Sequence, residues 1–243
     1  MAALLEVAGL RKRFGAIVVA DDVSFALESG RCLGMIGPNG AGKSSVFNLI
    51  AGTIPADGGT IRFEGRELSG LPAHLRARRG IVRAFQIPQP FPHLTVYENV
   101  LAAAAFGAGR SGASAASATL EVLGSLGLSA KAEMLAGRLP LLDRKRLELA
   151  KAVASCAKVL LLDEIAAGLT EPEVEELVDL VRSLKTSHAI IWIEHIPHAL
   201  RAVADRIMVL HFGKNVLEGP PAEVMTSRLV REIYMGFRAD DVA

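Results

Sequence analysis

The sequence predicts an α/β protein with a parallel-sheet core, interrupted by a mostly helical segment at about residues 88–155. Three observations carry that expectation. Short, purely apolar runs recur at Cys32–Ile36, 159–162 and Ala189–Ile193, as strands buried on both faces do. The first of these runs into a glycine-rich loop, residues 37–44, and then into the apolar-periodic stretch 45–50, a strand–loop–helix passage. Thr170-Glu-Pro-Glu173 is a capping box that opens a helix, with Thr170 as N-cap and Glu173 reaching back.

In chain order, residues 4–8, 23–27 and Cys32–Ile36 read as strands, with Gly15 and Glu28-Ser-Gly30 as punctuation. The helix after the glycine loop runs to about Ala51. A turn region, 55–59, leads into a short strand at 60–63, and residues 80–85 read as another. Residues 86–92, Gln-Ile-Pro-Gln-Pro-Phe-Pro, form a proline-broken loop. From Thr95 to about Ser155 the pattern is helical. Within it, 102–118 is rich in Ala, Gly and Ser and close to low complexity, while 143–155 is a helix with basic residues on one face. Beyond the strand at 159–162 come the capped helix, the strand Ala189–Ile193, a helix, and a strand at 206–210. No internal repeat is visible.

Bulk properties narrow the function classes. The 243 residues suffice for one large domain or for one domain with a subdomain. Lys plus Arg is 27 against 26 Asp plus Glu, so no net field draws nucleic acid or anionic lipid. No run reaches the ~18–20 apolar residues of a spanning helix. The two cysteines, Cys32 and Cys156, each sit in an apolar stretch and read as buried reduced thiols, without metal-ligand spacing.

The loop Gly37-Pro38-Asn39-Gly40-Ala41-Gly42-Lys43-Ser44 fits the phosphate-binding pattern G-x-x-x-x-G-K-[ST] at every fixed position, with Ser45 following. Glycines let backbone N–H groups turn inward around a phosphate, and the helix N-terminus adds partial positive charge. Lys43 is placed to reach the β- and γ-phosphates of a nucleoside triphosphate, and the Ser44 hydroxyl to sit on Mg²⁺. A second element is the apolar strand 159–162 ending in Asp163-Glu164. It sets Asp163 beside that Mg²⁺ and leaves Glu164 to polarise a water for attack on the γ-phosphate.

The order Lys43, Gln86 in a Phe-Gln loop, Asp163-Glu164, and Ile191-Trp-Ile-Glu-His195 resembles the nucleotide-binding domain of ABC transporters over essentially the whole chain. That resemblance implies a P-loop ATPase with an antiparallel β subdomain and an inserted helical subdomain, all in a single domain spanning 1–243. It implies that Phe14 stacks on adenine, that Gln86 touches Mg²⁺ and the attacking water, and that His195 contacts the γ-phosphate. Loop residues 83–100, Ala166-Ala-Gly-Leu169 and Tyr234-Met-Gly236 resemble importer subunits for branched-chain amino acids and related amides or urea. ATP and Mg²⁺ are then the bound species. The partners are transmembrane permease subunits, a second ATPase subunit and, indirectly, a solute-binding protein, with no nucleic acid expected. The location is the cytoplasm, on the inner face of the membrane. The alternatives are a regulatory subunit that closes on ATP with little hydrolysis, and a soluble ABC ATPase not tied to transport.

Two departures from the family pattern stand out. Where the signature L-S-G-G-Q belongs, the chain reads Leu139-Pro140-Leu141-Leu142-Asp143. Pro140 supplies neither hydroxyl nor N–H, Leu142 is bulky where backbone should approach closely, and Asp143 reads as an N-cap facing phosphate. After the acidic pair, Ile165 replaces the usual proline and Thr170 stands where Asp or Asn is usual. The family builds each ATP site from one chain's P-loop and the other's signature. The expected assembly is therefore a heterodimer whose working site uses this chain's Lys43.

Overall fold

The computed structural model describes residues 3–235. The chain opens with a long hairpin, β1 (Leu5–Phe14) and β2 (Ile17–Leu27), then β3 (Cys32–Ile36) and helix α1 (Lys43–Ala51). Next come β4 (Gly58–Phe63), β5 (Arg66–Glu67), α2 (Ala73–Arg79) and β6 (Ile81–Ala84). Helices α3 (Val96–Ala102), α4 (Gly112–Ser125) and α5 (Leu141–Ala154) follow, a π turn at Ala103–Gly107 continuing α3. Then come β7 (Val159–Asp163), α6 (Glu171–Lys185), β8 (Ala189–Ile193), α7 (Pro197–Val203), β9 (Arg206–His211), β10 (Lys214–Gly219), α8 (Pro221–Thr226) and α9 (Arg228–Met235).

Two sheets result. An antiparallel sheet has the order β2-β1-β4-β5, and the second has the order β10-β9-β3-β8-β7-β6. Within the second, β6, β7, β8, β3 and β9 pair parallel and only β10 joins antiparallel. Period-2 alternation explains how the layers assemble. Leu33, Met35, Leu161, Ile191, Met208 and Leu210 face α1 and the antiparallel sheet. Their neighbours Cys32, Ile36, Leu160, Leu162, Trp192 and Val209 face the helices on the other side. Each fully buried aliphatic side chain contributes about 1.5–3 kcal/mol, so these faces fix the register of the loops at the strand ends.

Several expectations need correction. Strands β1 and β2 run to the hairpin tip rather than covering only 4–8 and 23–27; register shifts near Leu10 and Lys12 and exposed outer residues disguise the pattern. Helix α2 had no apolar period to reveal it, since its sequence is Ala-His-Leu-Arg-Ala-Arg-Arg. It is anchored by Arg76, which is buried and donates to the carbonyls of Leu49, Ile50 and Leu71, closing the C-terminus of α1.

On the basic face of α5, Lys145 is buried. The helix starts at Leu141 with Pro140 as its N-cap residue. Asp143 is therefore not the N-cap: it is buried and paired with Lys131 and with Arg146 at 3.5 Å. Leu142 is also buried, and Leu141 is the exposed leucine at this helix end. Cys156 is exposed, just past α5, while Cys32 is buried.

Candidate functional site

The glycine loop sits between the end of β3 and the start of α1, with backbone geometry that only glycine supplies. Gly42 has φ 104°, and a Cβ there would lie 2.1 Å from the carbonyl oxygen of Val19. A Cβ on Gly37 would lie 2.1 Å from the Leu210 carbonyl oxygen. Any side chain at either position drives the loop off its neighbours. Lys43 is buried and its ammonium donates to the carbonyls of Gly37, at 2.6 Å, and Pro38, at 3.1 Å. Two of its three donors thus tie the loop's first turn to α1, leaving the third for a ligand. Burial pulls the Lys43 pKa down, while Glu164 and Asp163 push it up.

In front of the loop is a pocket of about 320 Å³, lined by Asn39, Gly40, Ala41, Gly42, Lys43, Ser44, Ser45 and Glu164, with Ile17 and Val19 from β2. Phe14 is not among its lining residues; it is half exposed at the end of β1, opposite Ile17, with the Lys12 ammonium 5.3 Å from its ring. Gly37 and Pro38 lie behind the loop and meet Lys43 rather than the pocket.

Three segments far apart in sequence meet at Glu164. The end of β7 delivers Asp163, which is buried and paired with Arg83 of β6. Glu164 has φ +46°, a left-handed conformation costing a non-glycine residue of order 1 kcal/mol or more. That turn swings its carboxylate toward the loop. Gln86 Nε2 donates to Glu164 Oε2 at 2.8 Å, and His195 Nε2 lies 2.7 Å from Glu164 Oε1.

The family model for the ABC transporter matches residues 20–167. The chain belongs to the ABC transporter family. It is 35% identical to the high-affinity branched-chain amino acid transport ATP-binding protein BraF of Pseudomonas aeruginosa, over 96% of this chain and 98% of that one. It is 37% identical to the corresponding protein LivG of Salmonella typhimurium, over the same shares. The ADP conformation of MJ1267, an ATP-binding cassette of an ABC transporter, superposes with a TM-score of 0.87 at 28% identity, covering 98% of this chain and all of that one. As an ABC cassette, the chain is a nucleotide-binding ATPase.

Sequence reasoning missed four residues that brace the site. Glu194 is buried and accepts from the N–H groups of Ala166, at 2.8 Å, and His195, at 3.0 Å, so it holds together the loops that follow β7 and β8. Burial raises its pKa, and the two N–H bonds oppose that rise. Lys145 is buried on α5 and donates to the Gln86 carbonyl; burial lowers its pKa. Arg83 pairs with Asp163, and Tyr234 of α9 accepts a hydrogen bond from the Gly37 N–H at 2.8 Å. Arg83, Glu194 and Tyr234 fall inside the resembling stretches 83–100, 191–195 and Tyr234-Met-Gly236, of which Gly236 lies outside the described residues, but the resemblance gave none of the three a bracing role. Thr170 is taken up by the capping box of α6, with Glu173 accepting from its N–H at 2.8 Å. Ile165 is buried.

Proposed function

We propose that this chain is the ATP-hydrolysing subunit of an ABC importer for branched-chain amino acids or related small amides, working as a dimer with a second ATPase subunit. The observation that carries the chemistry is the position of Glu164, beside the phosphate-binding pocket and within hydrogen-bond reach of both Gln86 and His195. The names of the relatives at 35–37% identity support the transported class.

ATP would lay its phosphates over the loop amides of residues 39–44, with the free donor of Lys43 on the β- and γ-phosphates. Ile17 and Val19 on the pocket wall, with Phe14 beside Ile17 at the hairpin end, would be the apolar groups offered to adenine. Ser44, Asp163 and Gln86 would hold Mg²⁺: an all-oxygen donor set with a single carboxylate suits a hard cation that also takes phosphate ligands. Mg²⁺ when bound neutralises charge on the phosphates.

Gln86 contacts one Glu164 oxygen and His195 the other. Turning those two side chains toward the γ-phosphate and the attacking water frees Glu164 to take the water's proton. His195 and Gln86 then hold the phosphate and the water in line.

The second half of each site comes from a signature segment. In this chain the α5 N-terminus offers Pro140 without an N–H and an exposed Leu141 side chain, and no side-chain cap. That supports a heterodimer whose working site combines this chain's P-loop with the partner's signature. No helix among the described residues is long and apolar enough to cross a membrane, and the exposed Ile87 and Phe91 of the loop after Gln86 suit contact with a permease. On this reading the chain sits at the inner membrane face and reaches a solute-binding protein only through the permease.

The test is reconstitution of the chain with its permease and second ATPase subunit in vesicles. ATP turnover stimulated by a leucine-, isoleucine- or valine-loaded binding protein is the expected result. Turnover indifferent to those solutes but responsive to another would overturn the assigned solute class.

A further inference from the structure

The geometry points to Arg83 as a resident counter-cation for Asp163, one that an arriving divalent metal must displace or share, so that metal occupancy is transmitted to the Gln86 loop. This rests on the reading of Asp163 as a Mg²⁺ ligand and deepens it. Arg83 lies on β6, three residues before Gln86, and opposite Leu161 in the register with β7. Its side chain is 12% exposed and that of Asp163 9% exposed, so water screens the pair poorly.

The rest of the guanidinium is held independently of Asp163. One terminal nitrogen donates to Asn48 Oδ1 of α1 at 2.6 Å. The guanidinium carbon lies 4.9 Å from the Phe85 ring centroid and 5.8 Å from that of Phe47. The Nε–H is buried with no partner among the described residues. Asn48 and the two rings therefore retain the group when Asp163 turns to a metal, and its shift is felt first by Phe85 and then by Gln86.

A buried pair placed for stability alone is a weak explanation, because apolar replacement of such pairs is often neutral. Here the charge has a chemical consequence. A cation beside a poorly screened carboxylate offsets part of that carboxylate's attraction for a second cation. Arg83 thus sets the metal requirement of the site as a positioning residue that touches no substrate.

The test titrates Mn²⁺ into the full chain with saturating ADP, counting free Mn²⁺ by its electron paramagnetic resonance signal. Arg83→Met keeps the stem and removes the charge, and its expected effect is Mn²⁺ affinity raised about tenfold. Arg83→Lys should stay near the parent value. Unchanged or weaker binding in Arg83→Met, or a Lys variant that behaves like the Met variant, would overturn the proposal.

Asp163→Asn separates the two claims. If it leaves Mn²⁺ affinity intact, the metal-site reading fails; if it abolishes binding while Arg83→Met is silent, only the role of Arg83 fails. Should Arg83→Met not fold, the parent protein decides. The Arg83 Nε–H resonance in ¹⁵N-labelled chain should shift when Mg²⁺ is added to the ADP complex, and a resonance that stays fixed contradicts the inference.

Discussion

His195 Nε2 lies 2.7 Å from Glu164 Oε1, joining the end of β8 to the turn that follows β7. The contact pairs the two residues proposed above as the general base and as the contact to the γ-phosphate. Each proposed role can be tested by itself.

Glu164→Gln preserves shape but removes the proton acceptor. Turnover should fall roughly 10²–10⁴-fold, the usual contribution of a positioned base, while ATP binding survives. Phosphate release and equilibrium nucleotide binding, measured on one preparation, read the two effects separately. Turnover within tenfold of the parent would move the base elsewhere.

Tyr234→Phe keeps the ring of α9 in place and takes away the acceptor for the Gly37 N–H. One net hydrogen bond is worth about 1 kcal/mol, so ATP affinity should weaken about fivefold through the Gly37 carbonyl that anchors Lys43. Isothermal titration measures this directly. An unchanged affinity would reduce Tyr234 to helix packing.

Glu194 supplies a pH signature. Burial raises its carboxyl above the ordinary 4.5. An acid raised in the folded state contributes stability that is fully present below its unfolded value and is lost as pH rises through its folded one. The melting temperature of Glu194→Gln relative to the parent should therefore improve as pH climbs from about 4.5 toward neutrality. A difference that is flat across that window would mean that Glu194 is not desolvated in solution.

The reach of the sequence follows physical lines. The loop 37–44, the strand ending at Asp163-Glu164, and the capping box at Thr170 were legible because each is local, with fixed spacing or strict period. The proximity of Gln86, Glu164 and His195 came from family resemblance, since those residues lie dozens of positions apart. Arg83, Lys145 and Glu194 could not be read as bracing residues, for a different reason. Each is a charge, buried in Lys145 and Glu194 and part-buried in Arg83, whose partner arrives through tertiary packing, and on paper each looks like a surface residue. The start of α5 was misplaced because Asp143 is a good N-cap type, yet the pull of Lys131 and Arg146 takes it into the interior.

The same segment carries the central claim, that this chain holds half of a working ATP site. The direct measurement is ATP turnover by the chain alone, by the chain with a second cassette subunit bearing an intact signature, and by the Pro140→Ser/Leu141→Gly double variant alone. Leu142 is left untouched because it packs in the core. Weak turnover alone, strong turnover with the partner, and partial recovery in the variant are expected. Strong turnover by the isolated chain, unaffected by either the partner or the double substitution, would contradict the claim.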